Sequence, residues 1–424
     1  MIQTLKNAWK IPDLRKRITF TFIMLAVFRL GAAIPVPGIN IAQVKSIVEG
    51  AGLLSFFDLI SGGAFGDMTI FALSISPYIT ASIIMQLLTM AIPSLEELAK
   101  EGEEGSKKIN QYTRYATVVL ALIQAIGISV GLFRGALINQ DTFSIITVVL
   151  TLTAGTSFLM WLGEEITEKG VGNGISLLIF AGIVSRLPSG IKHTIALARQ
   201  GELKLLPIAG FVVMVLLIIV GVIAIQEGTR KIPVQYAKRV VGRKMYGGQS
   251  SHIPLKVNQA GVIPVIFAMS MLQFPHTISY FVGKEGRFAH FLNTWLSPNV
   301  APGIFIYNLL SALLIIFFTY FYTAATFNPV EIATNMKKNG GFIPGIRPGK
   351  PTSDFLNKIL TRITLAGALF LAIITIVPTI LMGATKIPIA FGGTAVLIVV
   401  GVALETMKQI EAQLLMRHYQ GFLK

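Results

Sequence analysis

Residues 115–133, 143–163, 205–226 and 303–328 contain no Asp, Glu, Lys or Arg. Runs of about 20 apolar residues match the thickness of a bilayer's hydrocarbon core, where the backbone must satisfy its own polar groups, and they cross it as helices. An ionisable residue at that depth costs several kcal/mol and marks an ion, proton or substrate pathway. That marker is nearly missing here, so the chain reads as embedded in lipid without mid-membrane ion chemistry. With 13% charged residues against about 25% in soluble domains, and 53% hydrophobic, a multi-span membrane protein is the class that fits. The absence of cysteine removes disulfides, thiolate nucleophiles and cysteine metal sites.

Spans are predicted near 18–35, 67–92, 114–134, 143–163, 173–190, 205–226, 258–282, 303–327, 359–381 and 389–407. The fifth is short, and charge decides it. Basic residues concentrate in cytoplasmic loops. Ten spans place 25 Lys and Arg on the side of the two termini and nine on the other, with Arg29 and Arg362 inside spans. Dropping the fifth span would send the basic 227–257 loop outside. The first 17 residues alternate apolar and basic positions like an interfacial helix, which favours surface anchoring over a cleaved leader. Five spans per half imply that, if the halves are related, the repeat is inverted, as in many transport proteins.

Residues 53–92 are an apolar stretch twice the length of a span, broken by Ser61-Gly62-Gly63-Ala64-Phe65-Gly66-Asp67. The part before the break is too short to cross and carries Asp58, so it should not face lipid. Two readings stand: a segment dipping into a cavity from outside, or an amphipathic helix on the outer surface. Two cytoplasmic stretches, 227–257 and 328–358, are each about 30 residues, whereas short connections are the norm. They carry 12 of the 25 basic residues. Length with charge suggests docking of an acidic or nucleic-acid partner; topology signalling explains the charge alone.

Motifs for chemistry are missing. There is no GxxxxGK[ST] phosphate loop and no HExxH zinc helix, and no cofactor or metal is expected. Gly170-Val-Gly-Asn-Gly174 follows a span and not a strand, so it reads as a hinge or helix start. An intramembrane aspartyl protease would need a second membrane carboxylate beside Asp67. A secondary transporter of small solutes, the alternative function, should show intramembrane carboxylates. The expectation is a protein that is not an enzyme.

Several motifs, in order along the chain, carry a resemblance. They are Arg29-Leu-Gly-Ala-Ala-Ile-Pro-Val-Pro-Gly38, Ser76-Pro-Tyr-Ile-Thr-Ala-Ser-Ile83, Lys100-Glu-Gly-Glu-Glu-Gly105 and Gln111-Tyr-Thr-Arg-Tyr115. Further on stand Gly170–Ile175, Pro254-Leu-Lys-Val-Asn258, Ala260-Gly-Val-Ile-Pro264 and Gly340-Gly-Phe-Ile-Pro-Gly-Ile-Arg-Pro-Gly349. Gly392-Gly-Thr394, Gln413-Leu-Leu and Arg417-His-Tyr419 complete the set. Together the chain resembles the SecY family, the channel subunit of the bacterial Sec protein translocon.

The resemblance implies an all-α polytopic protein: ten transmembrane helices in two inverted five-helix halves, 1–200 and 201–424, around a central pore. The implied pore ring is Ile75, Ile79, Ile175, Ile179, Ile266 and Ile398. Each isoleucine taken alone is an ordinary core or lipid-facing residue, although 75/79 and 175/179 are spaced to share a helix face. The implied plug lies at about 53–66, with Leu53, Leu54, Phe56, Phe57, Ile60, Gly62 and Gly63. Gln86 and Asn258 would be polar positions of a lateral gate between spans 67–92 and 258–282, and Pro77 and Pro264 would loosen those helices. Arg239, Arg243, Lys244 and above all Arg347 would dock the SecA ATPase or a ribosome. SecE and SecG would be membrane partners, signal-sequence-bearing preproteins the substrates, and the bacterial inner membrane the location, with both termini cytoplasmic. The implied function is a protein-conducting channel that also releases apolar segments sideways into the bilayer.

Overall fold

The computed structural model describes residues 2–50, 58, 61–200, 205–236, 239–241, 244–246, 250–282, 286–296, 303–385 and 393–421. Helix α1 (Ile2–Lys10) is followed by α2 (Pro12–Gly31), which has Pro12 in its first turn, where a missing amide proton costs nothing. Ala8 of α1 joins Leu14, Ile18, Val171 and Ile410 in one apolar cluster, which packs this helix against the rest of the chain. A short helix α3 (Ile41–Gly50) comes next.

The expected span 67–92 is not one helix. Residues 61–75 run as turns, and α4 (Ser76–Ala91) begins only at Ser76. Positive φ at Gly62 and Gly63, and at the non-glycine Met68 (43°) and Ser74 (52°), excludes a right-handed helix through this stretch. Pro77 sits in the first turn of α4. It therefore starts the helix and does not loosen it. Across Ile92 the chain bends by 100° into α5 (Pro93–Lys100). Helix α6 (Glu103–Ile126) continues into a π-helical turn, Gly127–Leu132. Helices α7 (Thr142–Lys169) and α8 (Gly174–Arg199) complete this half. The Gly170–Gly174 run is a helix start: the Asn173 side chain accepts a hydrogen bond from the Ser176 amide at 3.1 Å.

After α9 (Leu205–Glu227), the 227–257 loop holds strands β1 (Thr229–Tyr236), β2 (Arg239–Val241), β3 (Lys244–Tyr246) and β4 (Ser250–Lys256). Helix α10 (Ile263–Val282), short α11 (Arg287–Trp295) and α12 (Gly303–Thr326) lead into the second loop. That loop carries α13 (Pro329–Lys338) and β5 (Gly341–Phe342), and the chain closes with α14 (Lys350–Thr385) and α15 (Gly393–Gly421). The two long loops share one antiparallel sheet in the order β4-β1-β5, with Ile232 opposite Ile253 and Gln235 opposite Phe342. The all-α membrane architecture thus carries, in its two long loops, a small sheet. Its trace is the alternation that buries Ile232 and Val234 between exposed neighbours.

Small residues let packed segments approach closely. A Cβ on Gly155 of α7 would lie 1.8 Å from the Ile70 carbonyl oxygen, and one on Gly174 would lie 1.9 Å from that of Gly163. Five buried hydroxyls are satisfied within their own helices: Thr117, Thr153, Thr319, Thr323 and Thr375 each donate to the carbonyl four residues back, whereas those of Ser129, Thr156 and Ser311 have no hydrogen-bond partner among the described residues. The two halves of the chain meet where α10 packs on α4 and the π-turn, and where α15 packs on α8 and α1.

Among the described residues, seven helices are long and apolar enough to cross a membrane unaided, or eight if the bent pair α4–α5 counts as one span. Ten is not reached on this measure. Helix α2 carries Arg15, Lys16, Arg17 and Arg29, and the apolar piece Ile263–Pro275 is short. Helix α9 has the opposite character: Val212, Val213, Leu216, Leu217 and Val220 are all exposed. A helix apolar all round suits a lipid or protein neighbour rather than water.

Candidate functional site

Helices from both halves converge on a narrow apolar cavity. Its lining includes Ile79 of α4, Ile179 of α8, Val265, Ile266 and Met269 of α10, and Ile398 of α15. Ser76, Ser270, Gln273 and Thr394 add the polar lining, and no charged side chain takes part. Ile79, Ile179 and Ile398 are between 4% and 9% exposed, and all three belong to the largest apolar cluster of the molecule. Four of the six proposed ring residues thus surround one space.

The other two sit differently. Ile75 precedes α4, where its carbonyl accepts the Ile79 amide at 3.0 Å, and its side chain is 2% exposed. Ile175 leans on α7, so close that a Cβ on Gly163 would meet its Cδ1 at 2.5 Å. Starting α4 at Ser76 makes Ile75 a flanking residue, so the i, i+4 face inferred from spacing holds within a helix only for the α8 pair.

Of the proposed plug positions, Leu53, Leu54, Phe56, Phe57 and Ile60 lie outside the described residues. Gly62 and Gly63 are described, and each has a reason to be glycine. Their φ values are +68° and +95°. A Cβ on Gly62 would fall 2.8 Å from the Gly182 backbone, and one on Gly63 would fall 2.8 Å from the Arg186 guanidinium. This turn is held from several sides. Arg29 donates to the Gly62 carbonyl at 3.0 Å, and Lys45 pairs with Asp67 at 2.8 Å. Asp58 accepts the Gly66 amide at 2.6 Å and forms an ion pair with Arg186.

Burial pushes the Asp58 carboxyl above the ordinary carboxylate range, outweighing the opposite pull of Arg186. Lys45 is held above its usual range by its hydrogen bond to Asp67. Sequence reasoning kept Asp58 out of lipid but did not find its partner. Both residues lie on the predicted outer side, which was the available signal.

The two proposed gate residues occupy different settings. Gln86 is half-buried on α4, the helix that packs on α10. Asn258 is not in a helix, because α10 begins at Ile263. It is 6% exposed, its amide donates to the Gly261 carbonyl at 2.9 Å, and its Oδ1 has no protein partner. Pro264 is the second residue of α10, again at a helix start. A wider cavity opens beside Asn258, lined by Gln226, Lys256, Tyr322, Glu405 and Lys408.

In the loop lobe, Arg239 and Lys244 belong to β2 and β3, and Arg243 lies outside the described residues. Arg347 is exposed in the turn after β5. That turn is fixed by positive φ at Gly345 and Gly349 and by Thr352 Oγ1, which donates to the Arg347 carbonyl at 2.8 Å. Among the described residues, no cluster of three His, Asp or Glu could hold a metal ion.

The SecY family model matches residues 69–407. The protein translocase subunit SecY of Halalkalibacterium halodurans is 50% identical over 435 residues, covering the whole of both chains. That of Thermotoga maritima is 45% identical, covering the whole of this chain and 98% of its own. That of Escherichia coli K12 is 48% identical, covering 98% of this chain and 95% of its own. Among solved structures, a protein-conducting channel is similar with a TM-score of 0.65 at 22% identity, over 94% of this chain and 92% of its own. Sec61 in the canine ribosome–channel complex gives 0.62 at 19%, over the same shares.

Proposed function

The chain belongs to the SecY family, and from that membership we infer that it is the channel-forming subunit of a protein translocase, a multi-pass membrane protein through which unfolded secretory chains cross the bilayer. Near-half identity to translocase subunits along the whole chain carries this reading. The charge-free constriction supports it. A ring of aliphatic side chains excludes water and ions by dewetting, and it offers a passing peptide no fixed polar ligand to hold it. Ile79, Ile179, Ile266 and Ile398 form that ring, with Ile75 and Ile175 as its supporting neighbours.

The finer assignments follow the same reading. The two halves, 1–200 and 201–424, part along the seam between α4 and α10. Polar contacts between membrane helices are worth only about 0.6–2 kcal/mol. A sufficiently apolar segment, which gains free energy by entering lipid, therefore opens the seam past Gln86 and Asn258. The segment around 53–66 stops the channel from the outside. Its relatives support this: a SecY structure similar to this chain at a TM-score of 0.67 is described as having a plug domain that stabilises the closed state of the translocation channel.

With no nucleotide motif in the sequence, the energy comes from outside. SecA or a ribosome docks on the sheet-bearing lobe, with SecE and SecG beside the channel. The bacterial relatives and the distribution of basic residues support the inner membrane as its location, with both termini cytoplasmic.

The test is reconstitution in vesicles with the motor ATPase and the small subunits. A secretory chain is expected to become protease-protected inside only when the motor hydrolyses ATP. Ion-coupled uptake of a small solute, with no protection of the secretory chain, would return the protein to the transporter class.

A further inference from the structure

We propose that Asp58 and Arg186 form a charge latch that seats the turn 61–67 on the middle of α8 and keeps the resting channel closed to small ions. The proposal rests on the channel reading above and adds to it a residue pair that fixes how firmly the outer closure sits.

The charges are divided between two parts of the molecule. Both carboxylates, Asp58 and Asp67, belong to the short segment. The cations that hold the segment belong to separate helices: Lys45 of α3 pairs with Asp67 and Arg186 of α8 with Asp58, while Arg29 of α2 donates to the Gly62 carbonyl. The fit is also steric. Gly62 lies on the Gly182 backbone, and the Arg186 guanidinium covers Gly63, at positions where even one methyl group would collide. The Gly66 amide and the Arg186 guanidinium take different oxygens of the same carboxylate.

Arg186 Nε is buried without a hydrogen-bond partner. With Asp58 removed, the guanidinium would remain half-buried and uncompensated. Removing one partner of such a pair costs far more than the intact pair is worth. The Asp58 side chain is itself only 16% exposed, so its charge is likewise left without compensation when the pair is broken. The pair therefore acts as a register device, in which each charge is tolerable only when the turn is in place.

The polar contacts that hold this turn, among the described residues, come from α2, α3 and α8, all in the first half of the chain. Separation of α4 from α10 leaves them untouched. An arriving chain must therefore break the latch in a second step, distinct from parting the seam.

The experiment measures resting potassium efflux from phosphatidylethanolamine–phosphatidylglycerol vesicles holding the full chain with its small membrane partners. Loss of one charge-assisted hydrogen bond shifts a two-state equilibrium by about ten-fold or more. Asp58→Asn and Arg186→Gln are each expected to raise efflux by that factor, and Arg186→Lys, which keeps the charge, by less. The double exchange Asp58→Arg with Arg186→Asp is expected to return efflux toward the parental value.

Singles as tight as the parent would overturn the latch, and so would an exchange as leaky as the two singles combined. If a single variant fails to accumulate, Arg186→Lys and the exchange carry the same comparison. Failure of the channel reading is separate: the parent would then protect no secretory chain in the motor-driven assay, whatever its efflux.

Discussion

Arg347→Glu is expected to abolish motor-driven translocation while the folded complex assembles unchanged. The residue stands exposed on a turn that two positive-φ glycines and the Thr352 hydroxyl hold in one shape, on a lobe stiffened by the three-stranded sheet. Such a presentation costs little ordering entropy on docking. Losing one partner of a buried interfacial charge pair costs about 2–5 kcal/mol, and reversal adds repulsion. The initial rate of protease protection should therefore fall by about 100-fold or more. Melting temperature and assembly with the small subunits should not change, because the side chain is exposed. Translocation at the parental rate would remove Arg347 from the docking surface.

The second large effect concerns the frame that places the constriction. Gly155→Val is expected to destabilise the protein by about 3 kcal/mol or more, since overpacking of a close contact forces backbone shifts. A Cβ at this position would lie 1.8 Å from the Ile70 carbonyl oxygen, a backbone atom that cannot swing aside. Ile70 belongs to the turn-rich stretch that leads through Ile75 into α4, so displacement there moves Ile79 in the cavity lining. Gly135→Ala is the control, because its Cβ meets nothing within 4 Å. Melting of detergent-solubilised protein should drop by several degrees for the first variant and stay near the parent for the second. Equal melting would mean that α7 does not seat against this stretch.

The uncharged apolar runs are the part of the architecture most legible in the sequence, because lipid leaves a chain few alternatives to a helix. The helix start at Asn173 was also readable, since a small polar residue before an apolar run is a local capping signal. Local conformation at the break was less legible. Hydropathy alone cannot show that Met68 and Ser74 take positive φ, so the second span looked longer than the helix Ser76–Ala91. The prolines Pro77 and Pro264 read as flexible points, yet both fall in first helical turns. Only the helix boundary distinguishes the two roles.

The loop sheet is hardly legible in the sequence, where loop length and charge are the dominant features. The pairing of β1 with both β4 and β5 is non-local and leaves only the short Ile232–Val234 alternation in the sequence. The pair Asp58–Arg186 joins residues 128 positions apart, and spacing cannot reveal such a contact. At the cavity, the resemblance supplied six isoleucines of equal standing. The geometry separates four that line one space from Ile75, which flanks α4, and Ile175, which packs on Gly163.

The most direct measurement puts a cysteine at Ile79, which the cysteine-free chain permits without background, and a second cysteine in the middle of a stalled secretory chain. A disulfide between them that forms in membranes only when the motor or a translating ribosome is present is the predicted result, because chains then pass through the ring. Translocation that proceeds with no such disulfide would contradict the account and route the chain elsewhere.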